Sequence, residues 1–446
     1  MPTARELAVT ALVQWERDST FSNIMLDNLL KGASLSKADA ALATRLVYGT
    51  LERLLTLDWL LAKNSRQPLK KCHPSVRAIL RVGAYQLVFM KSIPASAAVN
   101  EAVKLAKHMK QMHAAGYVNG VLRAVEREHG RLLASLSTDL KSMSLRYSVP
   151  LDLLQTWKNA YGIETAAALA EAANEAPPSI IRINTLKTTV EAFREQLTVH
   201  SLSYSEVEGL PCALLMENAA ALRSSAIPTD WYYFQDTASQ WACEALNVKI
   251  GDHVLDVCAA PGGKSFTTAM RIQGKCHVTA CDLYEEKIHT LRVRASKLGM
   301  PSFDAVQRDA SAPCPEEWRE SFDCVICDVP CSGFGVIRRR PEIRYKSLET
   351  FAELPELQYR ILCEAAVAVR PGGTLQYSTC TLRPEENEQV TARFLAEHPD
   401  FSPRELSLSR LFDAAGLAPS HQLTMMPHRH GTDGFFVASF RKEETQ

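Results

Sequence analysis

Two cysteines of this chain stand where an apolar run gives way to polar residues. Cys331 follows Pro330 in "VICDVPCSGFG", and Cys380 follows Ser378 and Thr379 in "LQYSTCTLRPEENE". A cysteine is most often a small buried hydrophobe, and by residue type alone that reading leads for both. Position reverses it. Each run reads as a strand with its thiol at the polar end, and "RPEENE" begins a helix after Cys380, so both thiols face a ligand edge rather than a core. A thiolate is a strong nucleophile and a competent leaving group, which suits covalent addition that must later reverse. Cys324 and Cys327 in "DCVICD" imitate C-x-x-C. They lie within an apolar run, where residues three apart point to opposite faces, and no second Cys or His pair accompanies them; they read as core.

Acidic residues end neighbouring strand-like runs. "LDVCAAPGGKS" runs from a strand into a glycine-rich turn, where small residues let backbone approach a ligand at a helix N-terminus. The turn is neither G-x-G-x-x-G nor a Walker loop. "TACD" ends the next strand in Asp282, "QRDA" places Asp309, and "ICDVPCSG" places Asp328. One such acid would be a solvated strand end. Several at one edge behind a glycine turn fit an adenosyl ligand, with a carboxylate for ribose hydroxyls.

The elements that must position these groups alternate regularly after about residue 235. "DHVLDVC", "CHVTACD", "FDAVQRD", "FDCVICD" and "GTLQYSTC" are separated by helix-like stretches, the pattern of a parallel sheet wrapped by helices. "QLTMMPHRHGTDGFFVASFRK" adds two final strands through a glycine-containing turn that shapes the site's rim. The fold class is multidomain: an all-α N-terminal domain (1–140), a small α+β linker domain (145–230) and a C-terminal α/β Rossmann-like domain (235–446). In the first, Leu7, Ala11 and Trp15 share a helix face, as do Leu54, Leu57, Leu60 and Leu61. In the second, "PPSIIRINTLK" and "ALLMENAAALRSS" read as strand-like pieces around the helical "TVEAFREQLTVH".

The net charge of zero conceals an asymmetry, +10 over residues 1–150 and −10 over the rest. Residues 63–110 carry ten basic side chains and one acid. Solvated helix faces would account for some of them; a ratio so lopsided points to a polyanion partner. Arg338, Arg339, Arg340 and Arg344 in "GVIRRRPEIRYK" are read as a phosphate clamp on the same grounds. His421, His428 and His430 lack other ligands at metal spacing, so no metal is expected. No apolar run approaches the roughly 20 residues of a membrane span, and the start is unlike a signal peptide, so the chain is expected to be cytoplasmic.

"CAAPGGK", "DVPCSGFGVIRRRPEIRY" and "YSTCTLRPEENE" resemble signature motifs of the S-adenosylmethionine-dependent RNA cytosine-5 methyltransferases. "GAYQLVFMKSIPASAAVNEAVKLAKHM" and "GYVNGVLRAV" resemble the NusB-like domain of one branch, the bacterial 16S ribosomal RNA methyltransferases B of the Sun/Fmu type. The resemblance spans nearly the whole chain. Val329 departs from it, standing where the family usually has Ala. It implies a class I methyltransferase domain that takes S-adenosylmethionine on Cys258, Ala259, Ala260, Pro261, Gly262, Gly263, Lys264, Asp282, Asp309 and Asp328. It implies Cys380 as nucleophile and Cys331 as the cysteine that assists product release. It implies C5 of a cytosine in 16S ribosomal RNA, cytosine 967, as target. No membrane or metal partner is expected, and the chain is expected to be a monomer.

Chemistry supports those roles. C5 of cytosine is too electron-poor to be methylated until a nucleophile adds at C6, and that addition puts charge on the N3 side of the ring. Asp328, if protonated, would hydrogen-bond there, and Lys264 would act through its charge. The alternatives are a tRNA or other RNA cytosine-5 methyltransferase, a DNA cytosine-5 methyltransferase using Cys331 as nucleophile, and a non-catalytic RNA-binding or antitermination factor.

Overall fold

Helix Pro74–Phe89 is buried along most of its length, because its sequence is apolar on several faces. Proline opens it in the first turn, where a missing N–H costs nothing, and the His73 ring accepts the Ser75 amide. Around it pack Ala4–Asp18, Lys37–Glu52, Leu54–Asn64, Ala95–His108 and Ala115–Ala134. Leu7, Ala11, Leu57, Leu60 and Leu61 are buried as the helical spacing predicts. The computed structural model describes residues 2–18 and 22–444. The chain forms two units, one reaching Glu175 and including Ile337–Leu348, the other made of Ala176–Val336 and the chain from Glu349 onward. Helices Leu140–Tyr147, Leu151–Tyr161 and Ile163–Ala172 thus belong with the helical unit.

Two of the ten basic residues between 63 and 110 turn inward. Arg81 binds both Asp58 oxygens at 2.7 and 2.8 Å, and Arg77 binds Glu16 at 2.7 Å. Lys63, Arg66, Lys70, Lys71, Lys91, Lys107 and Lys110 remain exposed. The arginine loop departs further from expectation. Arg344, expected on the RNA side, is fully buried in the helical unit. Its guanidinium donates to the carbonyls of Glu52, Ser148, Ala173 and Ile337 and to Asn174 Oδ1 at 2.8–3.3 Å. Next to it the Tyr345 hydroxyl donates to the Leu51 carbonyl at 2.6 Å. Carbonyls at helix ends need donors, and a planar five-donor fork serves several at once. Arg338 is also buried, Arg339 is half-buried and Arg340 is exposed.

In the second unit, strands β1 (Ile180–Ile183), β2 (Tyr204–Glu206), β3 (Ala213–Met216) and β4 (Tyr232–Phe234) form an antiparallel sheet ordered β2-β3-β1-β4. "ENAAALRSS", expected to continue a strand-like piece, is instead helix Ala219–Ser224, whose N-cap Asn218 accepts the Ala221 amide at 2.9 Å.

The large sheet comprises β5 (His253–Asp256), β6 (His277–Asp282), β7 (Phe303–Gln307), β8 (Phe322–Asp328), β9 (Val369–Thr379), β10 (Phe401–Pro403), β11 (Gln422–Met425) and β12 (Phe435–Lys442). Its order is β10-β12-β9-β8-β5-β6-β7, with β11 also paired to β12. The five strands β5 to β9 run parallel and β12 is antiparallel to β9. Chain order reverses between β5 and β8, so the crevice beyond their carboxyl ends is the ligand position of a doubly wound sheet. Cys324 and Cys327 are buried in the cores on opposite faces of β8, as their spacing predicts. Among the described residues, no helix is long and apolar enough to cross a membrane.

The role of Arg344 in folding is directly measurable. Arg344→Ala should cost about 3 kcal/mol in denaturant unfolding, because it leaves buried carbonyls without donors. The exposed Lys70→Ala should change stability by less than about 0.5 kcal/mol.

Candidate active site

The switch point is furnished from β5 and β8. After Asp256 the chain enters Val257–Gly262 and then helix Gly263–Arg271. Gly262 has φ +98°, and a Cβ there would lie 2.3 Å from the Phe266 ring, so the turn requires glycine. Asp256 is buried and accepts the Ser265 hydroxyl at 2.6 Å. Burial pushes its carboxyl up to about 7, against the pull of Ser265 and with the charge of Asp328 adding to the rise.

Lys264 points from the first turn of that helix to Asp328 at the end of β8, with Nζ 2.5 Å from Oδ2 and 5.0 Å from the Phe435 ring centre. Burial opposes the ammonium, but Asp328 outweighs it, and the Lys264 pKa lies above its ordinary value. The other Asp328 oxygen accepts the Ser378 hydroxyl at 2.8 Å. Two donors, one of them an ammonium, suit a carboxylate, so the arrangement does not support a protonated Asp328.

The thiols meet beside this network. Strands β8 and β9 pair with Asp328 opposite Ser378, and the chain beyond each strand brings Cys331 Sγ to 3.2 Å from Cys380 Sγ. The Cys380 amide donates to Cys331 Sγ at 3.3 Å. Contact with Cys380 and burial push the Cys331 thiol well above its usual range, so it stays protonated. Both cysteines are half-buried and neither is in a disulfide. Gly335 closes the far side of the Pro-Cys loop: its amide donates to the Cys380 carbonyl at 2.9 Å, and a Cβ there would fall 2.0 Å from the Gly434 carbonyl oxygen. The "GTDGFF" turn thus buttresses the thiols.

"RPEENE" does not simply start a helix. Pro384–Glu386 is a 3-10 turn, and helix Glu388–Glu397 follows. Glu386 and Asn387 are fully buried and bind the segments that carry the two cysteines. Sequence reading missed both; an acid and an amide crowded behind a candidate nucleophile were the available signal, and a strand end hid it by suggesting a solvated helix start.

The remaining expected residues follow the carboxyl ends of strands in the same sheet. Cys258, Ala259, Ala260, Pro261 and Gly262 form the turn after β5. Asp282 ends β6, 7% exposed, and receives Lys287 at 3.2 Å. Asp309 follows β7, where the Ser311 hydroxyl and amide hold its carboxyl below the usual range. Carboxylates at two neighbouring strand ends, a small-residue turn, and a lysine committed to Asp328 suit a nucleoside carrying positive charge better than one carrying phosphates.

A doubly wound sheet of this order, with acids and a glycine turn at its carboxyl edge, has the architecture of the Rossmann-like methyltransferase class. Residues 243–441 match the family model described as 16S rRNA methyltransferase RsmB/F, residues 2–127 match the NusB family, and residues 149–223 match an RsmF/B-like ferredoxin-like domain. The probable ribosomal RNA small subunit methyltransferase B of Bacillus subtilis (strain 168) is 35% identical, with 99% of each chain covered. The ribosomal RNA small subunit methyltransferase B of Sodalis glossinidius (strain morsitans) is 34% identical over 92% of each. The crystal structure of PH0851 shares the fold, with TM-score 0.81 at 24% identity over 99% of each chain. That of a methyltransferase homolog protein from Pyrococcus horikoshii has TM-score 0.59 at 27% identity, covering 69% of this chain and all of that one. The chain belongs to the 16S rRNA methyltransferase RsmB/F family.

Asp256 gives a pH signature. Its folded pKa lies above the unfolded value of about 3.9, so between roughly pH 4 and pH 7 the folded chain holds a proton that the unfolded chain has lost. Its contribution is present below that window and lost as pH rises through it. The melting temperature of Asp256→Asn relative to the parent should therefore climb between pH 4 and pH 8. A pH-independent difference would contradict the assignment.

Proposed function

We propose that this chain methylates C5 of a cytosine in 16S ribosomal RNA, cytosine 967 by its family resemblance, with S-adenosylmethionine as donor and a covalent Cys380–C6 adduct. The observation that carries the reading is the pair of thiols 3.2 Å apart at the carboxyl ends of adjacent strands, beside Lys264 and Asp328. A structural cysteine pair needs neither an ion pair nor a ligand turn beside it.

The chain's residues divide the work as follows. The 258–264 turn, Asp282 and Asp309 hold the donor, which when bound supplies an electrophilic methyl carbon. The Cys380 thiolate adds to C6: the sulfur–carbon bond forms and the C5–C6 π pair moves to C5, making that carbon nucleophilic. Lys264 offsets the negative charge that reaches the N3 side, and Asp328 accepts from the N4 amino group. After C5 is methylated its proton leaves to a base, the pair restores the C5–C6 double bond, and the Cys380 thiolate departs. Cys331 assists that departure. The base must leave any stack to reach Cys380. The exposed lysines and Arg66 of the helical unit, together with Arg340, supply phosphate affinity.

With unmethylated 16S rRNA and methyl-labelled donor, Cys380→Ala should transfer no label above background. Cys331→Ala should transfer label but remain covalently attached to the RNA. Near-parental transfer by Cys380→Ala would overturn the proposal.

A further inference from the structure

Glu386 and Asn387 are adjacent, fully buried and polar, and the hydrogen bonds they anchor hold the chain on both sides of one cysteine each. Glu386 Oε2 accepts the Ser332 amide at 2.9 Å and Gln358 Nε2 at 3.0 Å, while Arg383 binds Oε1 at 3.1 Å. The same Gln358 nitrogen donates to the Pro330 carbonyl at 2.9 Å. The residues before and after Cys331 are thereby tied to one buried carboxylate. Asn387 does the equivalent for Cys380: Oδ1 accepts the Thr379 hydroxyl at 2.6 Å, and Nδ2 donates to the Thr381 carbonyl at 3.1 Å.

Burying a carboxylate is costly, and a hydrophobic replacement often serves stability as well. A turn between strand and helix could be capped at the surface by one short polar side chain. Neither need accounts for two buried groups whose bonds, directly or through Gln358, hold the four residues flanking two thiols. We propose that Glu386 and Asn387 are positioning residues, with Asn387 aiming Cys380 at C6 and Glu386 holding Cys331 where it assists release. This rests on the covalent reading above. Misplacing a reacting group by about 1 Å can cost a hundredfold, and each thiol is otherwise carried on a loop. A glutamine at 386 cannot accept from Ser332, Gln358 and Arg383 together, because its amide nitrogen would face a donor.

The test separates attachment from release. Asn387→Ala should slow covalent attachment to 5-fluorocytosine RNA by at least about tenfold, with donor affinity unchanged by calorimetry. Thr379→Val, which removes only the hydroxyl that Asn387 holds, should slow it in the same sense. Glu386→Gln should attach at nearly the parental rate, yet with ordinary RNA it should accumulate the covalent complex as Cys331→Ala does. If Asn387→Ala fails to fold, Thr379→Val decides, and an unchanged attachment rate in that variant overturns the proposal. It is equally overturned if Glu386→Gln and Asn387→Ala slow attachment and release in equal proportion. Attachment that persists in Cys380→Ala defeats the covalent reading itself, a result distinct from the other two.

Discussion

The parallel pairing of β8 and β9, with Asp328 opposite Ser378, is the constraint on which the rest of the site depends. A shift of one residue along either strand would send Ser378 to the opposite face and separate the thiols that follow. The register is held by burial on both faces: Val325 and Cys327 pack with Leu375 and Tyr377 on one side, while Cys324 and Ile326 join a separate core. The Tyr377 hydroxyl then donates to the Glu386 carbonyl at 2.5 Å, so the same strand also anchors the turn that brackets the cysteines. Packing thus fixes the chemistry at two removes.

Electrostatics follow from that register. Lys264 is buried and keeps its charge because β8 delivers Asp328 to it, and Asp328 is oriented in turn by a serine from β9. Asp256, on the neighbouring strand and bound to a serine hydroxyl rather than to an ammonium, is pushed up by burial. Two carboxyls of one edge therefore differ in their partners, one bound to an ammonium and a serine and the other to a serine alone, and Asp256 takes up a proton near neutrality.

The alternation of strand and helix after residue 235, the burial of the "DCVICD" cysteines and the convergence of Cys331 with Cys380 were legible in the sequence, since each follows from periodicity and from where an apolar run stops. The arginine loop was not. Charge density in "RRRPEIRYK" has the same appearance whether the side chains face phosphate or helix carbonyls, and only the fold reveals that Arg344 serves Glu52, Ser148 and Ala173. The inward turn of Arg77 and Arg81 was hidden for the same reason, because their partners Glu16 and Asp58 lie on other helices. Glu386 and Asn387 escaped because burial of polar residues beside a strand end has no local pattern.

The most direct measurement is mass-spectrometric peptide mapping of the unmodified protein after reaction with a 5-fluorocytosine-substituted 16S rRNA fragment and S-adenosylmethionine. The expected result is a methylated nucleotide adduct on the peptide containing Cys380, with Cys331 unmodified. An adduct on Cys331, with Cys380 free, would contradict it.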